Sequence, residues 1–134
     1  MMIYLYAYLC TLAVFLPCDM VWLGTMANRL YRPTLGNILL SDANLPAAAV
    51  FYTIYPVGLV FFATVPALRS GSLAQASLCG ALFGFFTYMT YDLTNQATLK
   101  NWTTQLTVID IGWGTLLGAI SATAAFWVTS KLTA

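Results

Sequence analysis

The chain has 134 residues, 60% hydrophobic and 7% charged, with a mean hydropathy of +0.80. An ordinary soluble domain is about a quarter charged. Five Lys and Arg with four Asp, and no Glu or His, cannot supply a polar shell at this length, so a soluble fold is close to excluded. The formal net charge of +1 also removes the basic footprint of a nucleic-acid binder, and none is expected as a partner.

Without histidine, no imidazole is present to act as general base, zinc ligand or axial ligand. Ser-His-Asp hydrolysis, zinc hydrolysis and His-ligated pigment binding therefore fall away within this chain, and no metal or cofactor is expected. Cys10, Cys18 and Cys79 lie in apolar runs at spacings that fit no zinc or iron–sulfur signature, and read as small core residues.

The fold class expected is all-α: a polytopic membrane protein with four transmembrane helices in two helical hairpins, forming a single membrane domain over residues 1–134. The first span covers residues 3–25, enough at about 1.5 Å per residue to cross a ~30 Å hydrocarbon layer. No basic region precedes Tyr4 and Asp19 interrupts the run, so it reads as a retained helix rather than a cleaved signal. Residues 28–45 carry Arg29, Arg32, Asp42, Pro33, Gly36 and Asn37 and read as the one long connection, with a short interfacial segment over 35–40.

The second span covers residues 47–68, with Asn44 as its N-cap and Arg69-Ser70-Gly71 as its stop, and with bends expected at Pro56 and Pro66. A third runs over 73–94 and a fourth over 105–128. The positive-inside count is nearly tied, with a slight lean toward cytoplasmic first and third loops because Arg29, Arg32 and Lys100 lie there.

Every Lys and Arg falls in a loop or at a helix end, whereas Asp19, Asp92 and Asp110 fall inside spans, all toward one membrane face. An ionised Asp near mid-span costs roughly 2.5–3.5 kcal/mol on insertion scales, so the three should converge inside the bundle rather than each meet lipid. Carboxylates brought together need a balancing charge, which is a shared proton, a bound cation, or Arg29, Arg32 or Lys100 bending inward. The plainer alternative is that salt bridges and hydrogen bonds there only fix the packing.

Neighbouring residues point to the same place. Tyr88, Asp92 and Asn95 share one helical face, and Gly84 and Gly80 continue it. Asp110, Gly114, Gly118 and Ala122 form a matching ladder of four-residue steps, so the last two helices are expected to pack closely and bring Asp92 toward Asp110. Trp22 and Trp113 each follow an Asp by three residues, placing an indole N–H donor near each carboxylate, although membrane interfaces enrich Trp in any case. Tyr52 and Tyr55 of the second span should reach the same end.

The segments Asp19-Met20-Val21-Trp22-Leu23-Gly24, Phe51-Tyr52-Thr53-Ile54-Tyr55, Thr90-Tyr91-Asp92-Leu93-Thr94-Asn95 and Asp110-Ile111-Gly112-Trp113-Gly114 together resemble a bacterial family of small membrane proteins known only as a domain of unknown function. The resemblance covers essentially the whole chain. It implies a multi-pass protein of the bacterial inner (cytoplasmic) membrane and assigns no catalytic role to any residue.

Three functions remain open. The first is transport or coupling of a proton, small cation or small solute through the Asp site; four helices are few for a complete pathway, so it predicts a homo-oligomer, most simply a dimer. The second is an enzyme on a lipid or other hydrophobic substrate, with one Asp as acid or base and Tyr88 or Tyr91 assisting; no nucleophile elbow, metal triad or nucleotide loop supports it, and the balance leans away from catalysis. The third is an accessory subunit that binds a lipid or hydrophobic ligand, or joins a larger membrane complex.

Overall fold

A bilayer offers backbone N–H and C=O groups no partner but each other, which confines so apolar a chain to helices or a closed barrel. The computed structural model describes residues 1–134 and is entirely helical between its connections. Helix α1 (Met2–Met26) continues without a break through a π turn (Ala27–Tyr31), a single turn α2 (Arg32–Leu35) and a 3-10 turn (Gly36–Ile38). The second span is α3 (Leu45–Leu59), a π turn (Val60–Thr64) and α4 (Val65–Ser70); the second hairpin is α5 (Leu73–Thr98) and α6 (Thr104–Leu132). Four helical runs, Met2–Ile38, Leu45–Ser70, Leu73–Thr98 and Thr104–Leu132, are long and apolar enough to cross a membrane. The chain is an all-α polytopic membrane protein.

Residues 28–45, expected as a connection, are helical as far as Ile38. The reason is tertiary: Leu30 and Leu35 are buried against Leu106, with Met26, Tyr31, Trp102 and Ile109 packed around them, and this burial outweighs the local punctuation of Pro33 and Gly36. Both π turns end two residues before a proline, Tyr31 before Pro33 and Thr64 before Pro66. A proline ring crowds the carbonyl four residues back. The wider turn relieves that crowding by sending Arg32 N–H to Ala27 O and Val65 N–H to Val60 O, five residues back.

Side-chain caps begin the remaining spans: Asn44 Oδ1 accepts from Ala47 N–H at 3.2 Å, Ser72 Oγ from Gln75 N–H at 3.1 Å, and Thr103 Oγ1 from Leu106 N–H at 3.1 Å. Gly71, at φ 70°, makes the left-handed turn between α4 and α5.

The buried stripes step by four. On α1 they are Ala7, Thr11, Phe15 and Asp19; on α5, Ala76, Gly80, Gly84 and, two steps on, Asp92; on α6, Asp110, Gly114, Gly118 and Ala122. Helices α5 and α6 meet backbone to backbone along the glycines: a Cβ on Gly84 would land on the Gly114 carbonyl, and one on Gly80 or Gly118 on the carbonyl of the other. Gly114 makes room for the Tyr88 ring and Gly58 for the Phe83 ring. At mid-bundle Phe15, Leu59 and Leu117 close into one fully buried apolar cluster that joins α1, α3 and α6.

Candidate functional site

Because each of those stripes faces the core, the acids that continue them are carried inward. Asp19, Asp92 and Asp110 are 5%, 0% and 6% exposed. Arg29, Arg32 and Lys100, one of the three candidate sources of a balancing charge, are exposed.

Two of the three acids are held by aromatic donors, and the pairing is crossed. Trp113 donates its indole N–H to Asp19 Oδ1 at 3.0 Å, and Tyr52 donates its hydroxyl to Asp19 Oδ2. Tyr31 donates to Asp110 Oδ1 and accepts from the Trp22 indole at 2.9 Å. Neither indole therefore serves the Asp three residues before it: Trp113 on α6 reaches Asp19 on α1, and Trp22 reaches Tyr31 further along its own helical run. The two indoles stack, with centroids 4.5 Å apart and planes within 4°. The stack joins the halves of a continuous network from Tyr52 through Asp19, Trp113, Trp22 and Tyr31 to Asp110.

Asp92 is different. Both of its carboxyl oxygens are buried and neither has a hydrogen-bond donor. Its acidic neighbour is the carboxyl of Asp110. Two carboxylates cannot hydrogen-bond to each other; a carboxylic acid and a carboxylate can, through one proton. No three His, Cys, Asp or Glu groups come together in metal-binding geometry.

The other expected residues divide. Tyr55 is half-buried and shares a hydrogen bond with Thr87 at 3.0 Å; Tyr88 packs edge-on to Tyr55 and across Gly114. Neither bonds an Asp. Asn95, half-buried, contributes only its backbone carbonyl, to Leu99 N–H, and Tyr91 is exposed with its ring against Trp102. Tyr31 joins the network from inside the segment expected to be a loop. Its one sequence sign is Pro33, two residues on, which accompanies the π turn that carries it. Cys10, Cys18 and Cys79 are half-buried and unbridged.

A four-span helical bundle with an internal carboxyl–aromatic network near one end defines the class: a small integral membrane protein with a polar core site. Residues 4–127 match the family described as "Predicted membrane protein (DUF2177)", and the chain belongs to it. No curated protein and no solved structure matches the chain.

Proposed function

We propose that this is a proton-binding protein of the bacterial inner membrane, in which Asp92 and Asp110 hold one proton between them and exchange it with the aqueous phase at the nearby face. The observation that carries this reading is the fully buried Asp92 carboxyl, which has no donor and faces a second carboxyl. A closed ionic pair with Lys or Arg would serve packing alone; a carboxyl pair lacking any cation requires a proton in order to remain buried. Asp19, the stacked indoles and Tyr31 fix Asp110 in place and connect the site to Tyr52 on the second span.

The test is an infrared pH titration of the purified protein in lipid. A carboxylic-acid carbonyl band that titrates and that disappears in Asp92→Asn supports the reading; a spectrum with no such band at any pH near neutrality overturns it.

A lipid-binding accessory role is the second reading, favoured by an open apolar groove of about 580 Å³ between α5 and α6, lined by Ala81, Phe85, Val108, Ile111, Gly112 and Thr115 among others. Its shape admits an acyl chain, and it presents no ionisable group to read a head group. Native mass spectrometry decides: a lipid retained by the wild type and lost in Gly112→Leu favours this role.

A further inference from the structure

We infer that residues 27–38 are a strap that shuts the acid pair off from the membrane face beside it, with Tyr31 as its latch, and that Asp92 exchanges its proton with water only when the strap lifts. The inference rests on the proton-binding reading of Asp92 and Asp110, and gives that site its route and its gate.

Helical register shows what stands between the pair and that face. The buried stripe of α6 that carries Asp110, Gly114 and Gly118 begins one turn earlier with Leu106, which has no exposed surface. The buried residues packed on Leu106 are Leu30 and Leu35, both from the strap. Between them in the chain, Tyr31 donates its hydroxyl to Asp110 Oδ1. With the strap in place both carboxyl oxygens of Asp92 are closed to solvent. On α5, by contrast, the residues one turn beyond Asp92 are Asn95 and Gln96, both polar and half-buried. Lifting the strap opens the α6 side of a passage whose α5 side is already polar.

The strap is built to move as a unit. At its start the backbone passes from α-helical to π register at Ala27, a device that recurs at functional sites. At its far end Gly36 leaves the right-handed region, at φ 58°, and residues 39–44 run on without helix before α3 begins. Of its own residues only Leu30 and Leu35 are buried, while Asn28, Arg29, Arg32 and Asn37 are exposed. Elements with so few buried contacts open at the low end of a fold's free-energy range. What ties the strap to α6 and the loop before it is the Leu106 cluster, the Tyr31 hydroxyl on Asp110, and a hydrogen bond from Asn101 Nδ2 to Leu35 O at 3.1 Å. Asn101 sits at φ 69°, a left-handed conformation that Asn tolerates better than most side chains, and from there its amide reaches the strap.

The latch is coupled to the site it guards. Tyr31 needs an acceptor on Asp110, and a carboxylate accepts a hydrogen bond more strongly than a carboxylic acid does, so the closed strap favours the shared proton on Asp92. Exchange at Asp92 replaces one carboxyl O–H bond by another: the departing proton leaves on water and the arriving one comes from water. Nothing is oxidised, and no co-reactant other than water is needed. Water must therefore reach an oxygen that the closed strap keeps dry.

Transfer of the lipid-embedded protein into heavy water tests this, with the deuteration shift of the Asp92 carboxylic-acid band followed over time by infrared spectroscopy. Asn101→Gly removes the amide tie, and Leu30→Ala removes part of the cover on Leu106. Each is expected to speed deuteration severalfold over wild type. Ser77→Ala, which cuts the 2.6 Å hydrogen bond between Ser77 and Thr123 toward the opposite end of α5, is expected to leave the rate unchanged. Wild-type deuteration complete within the mixing time overturns the strap, as does a rate in Asn101→Gly no faster than in wild type or in Ser77→Ala. Absence of the band at any pH near neutrality overturns the proton-binding reading instead, so the two failures are distinct. Should Leu30→Ala not fold, Asn101→Gly decides alone, because glycine accepts φ 69° without strain.

Discussion

Replacing Gly84 by alanine adds a single methyl group at the closest approach of α5 and α6. The new Cβ lands on the Gly114 carbonyl oxygen, 2.8 Å from its carbonyl carbon and 3.2 Å from Thr115 Cα, all of it backbone that cannot rotate away. Carbon atoms pack best at about 3.5–4.0 Å, so the helices must part by roughly 1 Å, a gap that forfeits about a quarter to a half of the attraction between facing atoms. Overpacking of this kind costs about 1–3 kcal/mol.

The same substitution at Gly112 supplies the reference, because a Cβ there meets nothing within 4 Å. Both changes gain up to about 1 kcal/mol of helix propensity, so that contribution cancels between them. Unfolding in mixed micelles by increasing fractions of denaturing detergent, followed by tryptophan fluorescence, should therefore place Gly84→Ala about 1–3 kcal/mol below Gly112→Ala. Equal stability of the two variants would refute the close backbone approach on which the meeting of Asp92 and Asp110 depends.

Two further outcomes concern the network. Asp19→Leu leaves the Tyr52 hydroxyl and the Trp113 indole without an acceptor. Such orphaned donors cost about 1–3 kcal/mol each, moderated by the smaller values measured within membranes, so a loss of about 1–4 kcal/mol is expected in the same unfolding assay. Asp19→Asn, which keeps a carbonyl acceptor, should lose less than Asp19→Leu. Trp22→Phe removes both the indole stack and the donor to Tyr31, and is expected to abolish a paired-indole signal in near-ultraviolet circular dichroism while the far-ultraviolet helical spectrum stays unchanged.

What the sequence discloses here is depth and face, and what it conceals is register between helices. The cost of a charge in oil, with the four-residue spacing of small residues before Asp92 and after Asp110, is enough to place these acids inside the bundle and to pack α5 on α6 through Gly80, Gly84, Gly114 and Gly118. Which donor meets which acid depends on sub-turn offsets between separate helices. That is why Trp113 on α6 reaches Asp19 on α1 rather than Asp110, the nearest acid in its own chain segment. Tyr31 is hidden for another reason: Pro33, Gly36 and Asn37 are the ordinary marks of a loop, and only the burial of Leu30 and Leu35 against Leu106 keeps that segment helical. The arginines exert no visible pull because Tyr and Trp hydroxyl and N–H groups satisfy Asp19 and Asp110 first.

The proton assigned to Asp92 and Asp110 can be observed directly. The chain has only four acidic side chains, all Asp, so carbon-13 labelling of aspartate gives at most four carboxyl resonances in a lipid-embedded sample. At neutral pH the account predicts one resonance of the buried pair in the range of a protonated acid, lost in Asp92→Asn. Four ionised carboxyls in the wild-type protein would contradict it.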